Sequence, residues 1–291
     1  MPAENHIRNP FEMAIEQFGE AVSEAAGAAA KHRPVAVADQ STPTIRRITT
    51  RDLTDALREG AGDLGVVRED VAFVALIYPI AGLVLADLLL NHDLLPLIFP
   101  LASGFALLGP VAAIGVYEIS RRHERGAKVT WADAFGVLRS PALGAIFGLG
   151  LILLAIFLAW LAAAYGIYQL TLGPAPPSSL GGFLRDVLTT RAGWAMIAIG
   201  LGVGLVFAVA ALVISVVSFP LLLDRGGGIG RAIATSARAV ADNPRPMALW
   251  GLIVAGLLAL GSAPALVGLI IVIPWLGHAT WRLYRKVIAW N

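Results

Sequence analysis

The sequence predicts an all-α, polytopic membrane protein with six transmembrane helices, built as a threefold internal repeat of an amphipathic surface helix followed by a transmembrane hairpin. Three observations predict it. The first is composition. The chain has 291 residues, 57% of them hydrophobic and 14% charged, and a mean hydropathy of +0.74. A soluble domain carries about 25% charge, and soluble packing has no way to hide this much apolar surface. The second is a series of six apolar runs after residue 70, set against the ~20 residues that a spanning helix needs. The third is where the positive charge sits. Of the 22 Lys and Arg, eight precede the first run, five lie in 118–141, four in 224–246 and three in the C-terminal tail. The other two, Arg185 and Arg191, lie between the third and fourth runs. With six spans, every strongly basic segment falls on one side. The positive-inside rule then puts both termini in the cytoplasm of a bacterial inner membrane.

The elements follow in chain order. Residues 1–44 form a cytoplasmic tail, partly helical or disordered. It holds an Ala-rich, mildly amphipathic stretch from Pro10 to about Lys31, then a Pro/Ser/Thr linker. Its polar, acidic-containing start leads to the expectation of no cleavable signal peptide. The membrane domain is 45–291, in units of about 45–120, 121–223 and 224–291. A first surface helix is expected over 49–60, ending near Gly60 or Gly62. The spans are expected at about Val71–Leu90, Leu95–Tyr117, Ala142–Leu170, Gly193–Leu223, Met247–Gly261 and Ala265–Thr280. The last pair is short enough for a re-entrant hairpin to be the rival. Pro79, Pro110 and Pro274 should kink their helices.

The repeat is read from short motifs. Glu124-Arg125-Gly126 and Asp224-Arg225-Gly226 share an acidic-Arg-Gly entry, and Ser140-Pro141 and Asn243-Pro244 a polar-Pro exit, at an offset of about 100. Ile48-Thr49-Thr50-Arg51-Asp52 aligns with Val129-Thr130-Trp131-Ala132-Asp133 at an offset of 81. Thr49 with Asp52, and Thr130 with Asp133, have capping-box spacing. Ser140 and Asn243 suit N-caps, and the prolines after them suit a first helical turn. Ile229, Ile233 and Val240 share a face with alanines, which suits a helix lying at the headgroup level with Arg231 and Arg238 near anionic lipid. A capped loop helix is the plainer alternative.

Few residues carry chemistry. Asp87, near the outer end of the first span, with His92 and Asp93 beyond it, is a candidate proton or cation site. A water-exposed helix end explains the same residues. Glu118 with Arg121 and Arg122 has the i,i+3 and i,i+4 spacing of an interfacial ion pair. Gly144/Gly148 and Gly200/Gly204 have the GxxxG spacing of helix-packing faces. Cysteine is absent, which excludes disulfides and thiolate sites. The five histidines form no paired set at mid-depth, and no nucleotide, metalloprotease or serine-hydrolase motif is present. No catalytic residue, cofactor or metal is expected, and a net charge of +2 makes no case for nucleic acid.

Several segments carry a family resemblance. They are Tyr78-Pro79-Ile80-Ala81-Gly82-Leu83, Pro96-Leu97-Ile98-Phe99-Pro100-Leu101, Tyr117-Glu118-Ile119-Ser120-Arg121-Arg122, Ser218-Phe219-Pro220-Leu221-Leu222-Leu223-Asp224-Arg225 and Gly277-His278-Ala279-Thr280-Trp281. From about Ile45 onward the chain resembles a bacterial family of integral membrane proteins of unknown function. Some members of that family are labelled as cytochrome c oxidase subunits. The resemblance implies association with respiratory oxidase subunits, in an accessory, assembly or scaffolding role, beside the lipid bilayer itself and self-association. A catalytic oxidase subunit is not implied, since the histidines for haem and copper are missing. The alternative function is a transporter or channel for a small solute or lipid, which Pro/Gly-interrupted spans would suit.

Overall fold

The computed structural model describes residues 43–66, 82, 87, 95–173, 177, 179–263 and 267–290. Apart from a ribbon of two two-residue strands, the described elements are helices. Three helical stretches among the described residues are long and apolar enough to cross a membrane: Leu143–Thr171, Arg191–Arg225 and Pro244–Ser262. The expected first span lies outside the described residues, Gly82 and Asp87 excepted.

Strand β1 (Thr44–Ile45) leads into helix α1 (Thr50–Val66). The Asp52 carboxylate accepts from the backbone N–H and the hydroxyl of Thr49, at 2.7 and 2.8 Å, so the predicted cap spacing is used. The helix does not stop at Gly60 or Gly62; it continues to Val66. Gly60 serves packing instead. A Cβ there would lie 2.6 Å from the backbone nitrogen of Ala279, and the buried stripe Leu53, Ala56, Gly60 and Asp63 faces the C-terminal helix.

The expected second span is broken. A 3-10 turn, Leu95–Leu97, precedes α2 (Ile98–Phe105); a second 3-10 turn, Ala106–Leu108, precedes the one-turn α3 (Gly109–Ala112); α4 (Ile114–Glu124) follows. Pro110 explains the break. It has no N–H for the carbonyl of residue 106, and its ring crowds that carbonyl. The Trp160 indole donates to the Pro100 carbonyl at 2.9 Å, tying α2 to the next long helix.

A 3-10 helix, Trp131–Arg139, then α5 (Leu143–Thr171) come next. At 29 residues, or ~43 Å at the helical rise, α5 exceeds the ~30 Å hydrocarbon core. The loop after it contains an unforeseen helix, α6 (Leu180–Thr189), capped by Ser179. Leu180, Leu184 and Leu188 share its exposed face. Thr190 ends α6 and caps α7 (Arg191–Ser215), which continues after Val216–Val217 as α8 (Ser218–Arg225). Then follow α9 (Ile229–Asp242), α10 (Pro244–Ser262), α11 (Leu269–Val287) and β2 (Ile288–Ala289).

Each short amphipathic helix lies on a neighbouring exit helix. Helix α1 packs on α11, the 3-10 helix on α4, and α9 on α7 and α8. The apolar face of α9 therefore points inward, with Ala232 and Ala239 buried and Ile229 against Gly148. The expectation that this face lies on lipid is corrected: alanine and glycine let α9 approach the long helices closely, and that contact uses up the face. Asn243 is corrected too. It precedes Pro244 as expected, but its side chain does not cap α10. Its Oδ1 accepts from Ile48 N at 2.7 Å, and its Nδ2 donates to the carbonyls of Arg46 and Ala239, both at 3.1 Å. Strands β1 and β2 pair antiparallel, and Arg46 N donates to Val287 O at 2.8 Å. The segments 44–46 and 287–289 are thus joined.

Candidate functional site

Two features stand out: a network of charges where α4, α8 and α11 end, and an apolar cavity alongside it.

The network begins at the acidic-Arg-Gly motif. Helices α4 and α8 both stop at a glycine with positive φ, Gly126 at 76° and Gly226 at 69°, a region that L side chains avoid. The motif's carboxylates, Glu124 and Asp224, then meet on one cation. Arg285 Nε donates to Glu124 at 2.9 Å, while its Nη1 and Nη2 reach Asp224 at 2.8 and 3.2 Å. Asp224, 3% exposed, also receives the Tyr284 hydroxyl at 3.1 Å and lies 3.6 Å from Arg125 and 3.5 Å from Arg225. The Trp281 indole donates to Glu124 at 3.2 Å. Burial works against the Arg285 charge, but Asp224 and Glu124 outweigh it and hold the guanidinium above its ordinary pKa. Burial, reinforced by Asp224, pushes the Tyr284 phenol upward.

Glu118 is buried and takes both arginines expected of it. Arg121 donates at 2.8 and 2.9 Å and Arg122 at 2.7 Å. Arg122 also pairs with Asp133 of the 3-10 helix, and Arg121 reaches the Leu223 carbonyl at 3.3 Å. A local pair thus bridges three elements. On α1, Asp63 takes Arg282 through two bonds of 2.8 Å, and Glu59 takes Lys286 at 2.9 Å. Beneath the network Ser120 Oγ and His278 Nδ1 lie 2.7 Å apart, both buried.

Sequence reasoning missed the pairs that join distant residues: Arg285 with both motif acids, Asp63 with Arg282, and Ser120 with His278. One signal was available. Two acids at the same place before a chain-reversing glycine need the same kind of partner. The other candidates fare differently. Asp87 is helical and exposed; His92 and Asp93 lie outside the described residues. Of the GxxxG pairs, only the second glycines are in contact, Gly148 with Ile229 and Gly204 with Trp160, while Gly144 and Gly200 face open space. Within the chain each pair thus supplies one point of close approach and one open glycine. Among the described residues no three His, Asp or Glu side chains group as metal ligands.

The cavity, of about 440 Å³, lies between α3–α4, α7, α10 and α11. Leu107, Gly109, Pro110 and Ala113, at the break before α4, form part of its wall. Irregular backbone at membrane depth is tolerated where it borders protein or a cavity. Among the described residues the lining carries no charged side chain, and Tyr117, Ser215 and Thr280 supply its hydroxyls. All three lie toward the ion-pair end. Leu205, Val209 and Leu252 belong to the lining yet are 48–69% exposed, so the cavity opens sideways between α7 and α10.

Long apolar helices joined by a charged end define an integral membrane protein. Residues 98–224 match the model of a family described as predicted integral membrane protein (DUF2189). The match runs from α2 to the motif acid at the end of α8; the resemblance read from the sequence holds over this stretch, narrower than Ile45 to the C-terminus. No curated protein and no solved structure matches the chain.

Proposed function

We propose that this is a non-catalytic inner-membrane protein of six spans in three repeated units, with both termini cytoplasmic, acting as an accessory, assembly or scaffolding partner of other membrane proteins. The observation that carries this reading is Arg285, which holds the exits of the first and second units from the third through Glu124 and Asp224. Each unit's short helix rests on the exit of the unit before it, and the β1–β2 ribbon closes the cycle. Such a closure favours a fixed platform over a moving carrier. The platform presents exposed apolar side chains such as Phe147, Leu201 and Leu260 along its long helices. Respiratory oxidase subunits are the partner class that the family resemblance suggests, and self-association is the other.

Mild-detergent purification of the full-length protein from native membranes tests this. Stoichiometric co-purifying subunits with a haem spectrum are the expected result. A colourless protein that purifies alone, as a monomer, would contradict both partner classes. Transport is the second reading. The break before α4 and the cavity beside it favour a lipid over a small ion as its cargo.

A further inference from the structure

We propose that the cavity between α7 and α10 is a binding site for one neutral single-chain amphiphile, an alkyl chain ending in a small uncharged polar group such as a hydroxyl. The inference is independent of the scaffold role and rests on the membrane setting alone. Four features of the cavity select this ligand class.

The first is location. The walls come from apolar helices, and the mouth, at Leu205, Val209 and Leu252, faces sideways where the bilayer lies. A ligand therefore arrives from the hydrocarbon phase. The second is size: about 440 Å³ lies within the ~300–1,000 Å³ of ordinary small-molecule sites. The third is charge. Among the described residues no Lys, Arg, Asp, Glu or His lines the cavity, so an ionised headgroup would be desolvated there without a partner. That excludes a fatty-acid anion or a phospholipid headgroup as the buried end. The fourth is polarity at one end only. Ser215 at the end of α7 and Thr280 on α11, with Tyr117 on α4, face the cavity near the ion-pair end. Thr280 Oγ1 donates to Leu276 O at 2.6 Å, which leaves its oxygen to accept from a ligand hydroxyl. The chain would then run from this end to the mouth.

The test uses the full-length protein in nanodiscs of phosphatidylethanolamine and phosphatidylglycerol. The probes are 1-hexadecanol and hexadecane, each carrying a diazirine. Photolabelling by the alcohol should fall within 205–216 and 248–258, saturate at one label per chain and be competed by unlabelled 1-hexadecanol. A Cβ at Gly251 would lie 3.4 Å from Leu212, so Gly251→Trp should fill the space and reduce labelling tenfold or more. Ala208→Phe blocks from the opposite wall and replaces it should Gly251→Trp fail to fold. Ser215→Ala combined with Thr280→Val should abolish the preference for alcohol over alkane while leaving alkane labelling unchanged. Label spread over lipid-facing residues of α5 such as Phe147, unchanged by the blocking variants, would overturn the site in favour of ordinary boundary lipid. Equal labelling by alcohol and alkane in the unmodified protein would overturn the polar end.

Discussion

Arg285 shows how one side chain carries the energetics of the charged end. Its two carboxylates differ in setting: Asp224 is 3% exposed and Glu124 33%. Removing the cation takes from Asp224 its shortest ionic contact and leaves it the Tyr284 hydroxyl and the more distant Arg125 and Arg225, whereas removing Glu124 leaves Arg285 its better partner. Arg285→Met should therefore cost about 1–3 kcal/mol, and Glu124→Gln under about 1 kcal/mol. Thermal unfolding in detergent should rank them in that order; equal losses would contradict the geometry. Asp133 gives a pH prediction. The Thr130 backbone N–H, followed by its hydroxyl and Arg122, holds the carboxyl below its ordinary value of 3.8. A depressed folded-state pKa stabilises above the unfolded value, and the contribution is lost as pH falls through the folded one. The stability gap between wild type and Asp133→Asn should hence be constant from neutral pH down to about 5 and close below about 4. A gap that grows on acidification would refute the assignment.

At the scale of elements, local signals were legible and long-range ones were not. The caps at Thr49 and Thr130 and the Glu118 arginines depend on spacings of three or four residues, which a helix fixes by itself. The long apolar helices α5 and α7 follow from runs with no other way to satisfy their backbone in lipid. Gly60 was misread as a helix end because a glycine in sequence looks alike whether it stops a helix or admits a neighbour. Here α11 lies against it. Gly60→Val should separate α1 from α11 and weaken the Asp63–Arg282 bonds, costing about 1–3 kcal/mol. Hydrogen exchange should show it as faster exchange confined to α1 and the adjacent turns of α11. An exchange pattern like wild type would show that the contact is dispensable. Helix α6 escaped notice because ten residues with two charges, Arg185 and Asp186, read as loop until Ser179 and Thr190 are seen capping in series.

At the scale of the molecule, the described helices are held by closure. Asn243 ties the segment before α1 to the corner before α10, the ribbon ties that segment to the end of α11, and Arg285 ties the ends of α4 and α8 together. None of these partners is near in sequence, so only the assembled helices reveal them. The cavity was equally hidden, since it is the space left between α7 and α10 and no residue pattern announces a gap. In the proposed architecture three units each cross the membrane twice from the same side. Because the chain contains no cysteine, it offers a clean background for single-cysteine accessibility with a membrane-impermeant maleimide. In that architecture His92→Cys, Gly181→Cys and Ala263→Cys should label from the outside of intact cells, while Ala127→Cys, Ala241→Cys and Asn291→Cys should label only after the cells are opened. Labelling of Ala263→Cys only from the inside would make the last pair a re-entrant hairpin and contradict the three-unit architecture.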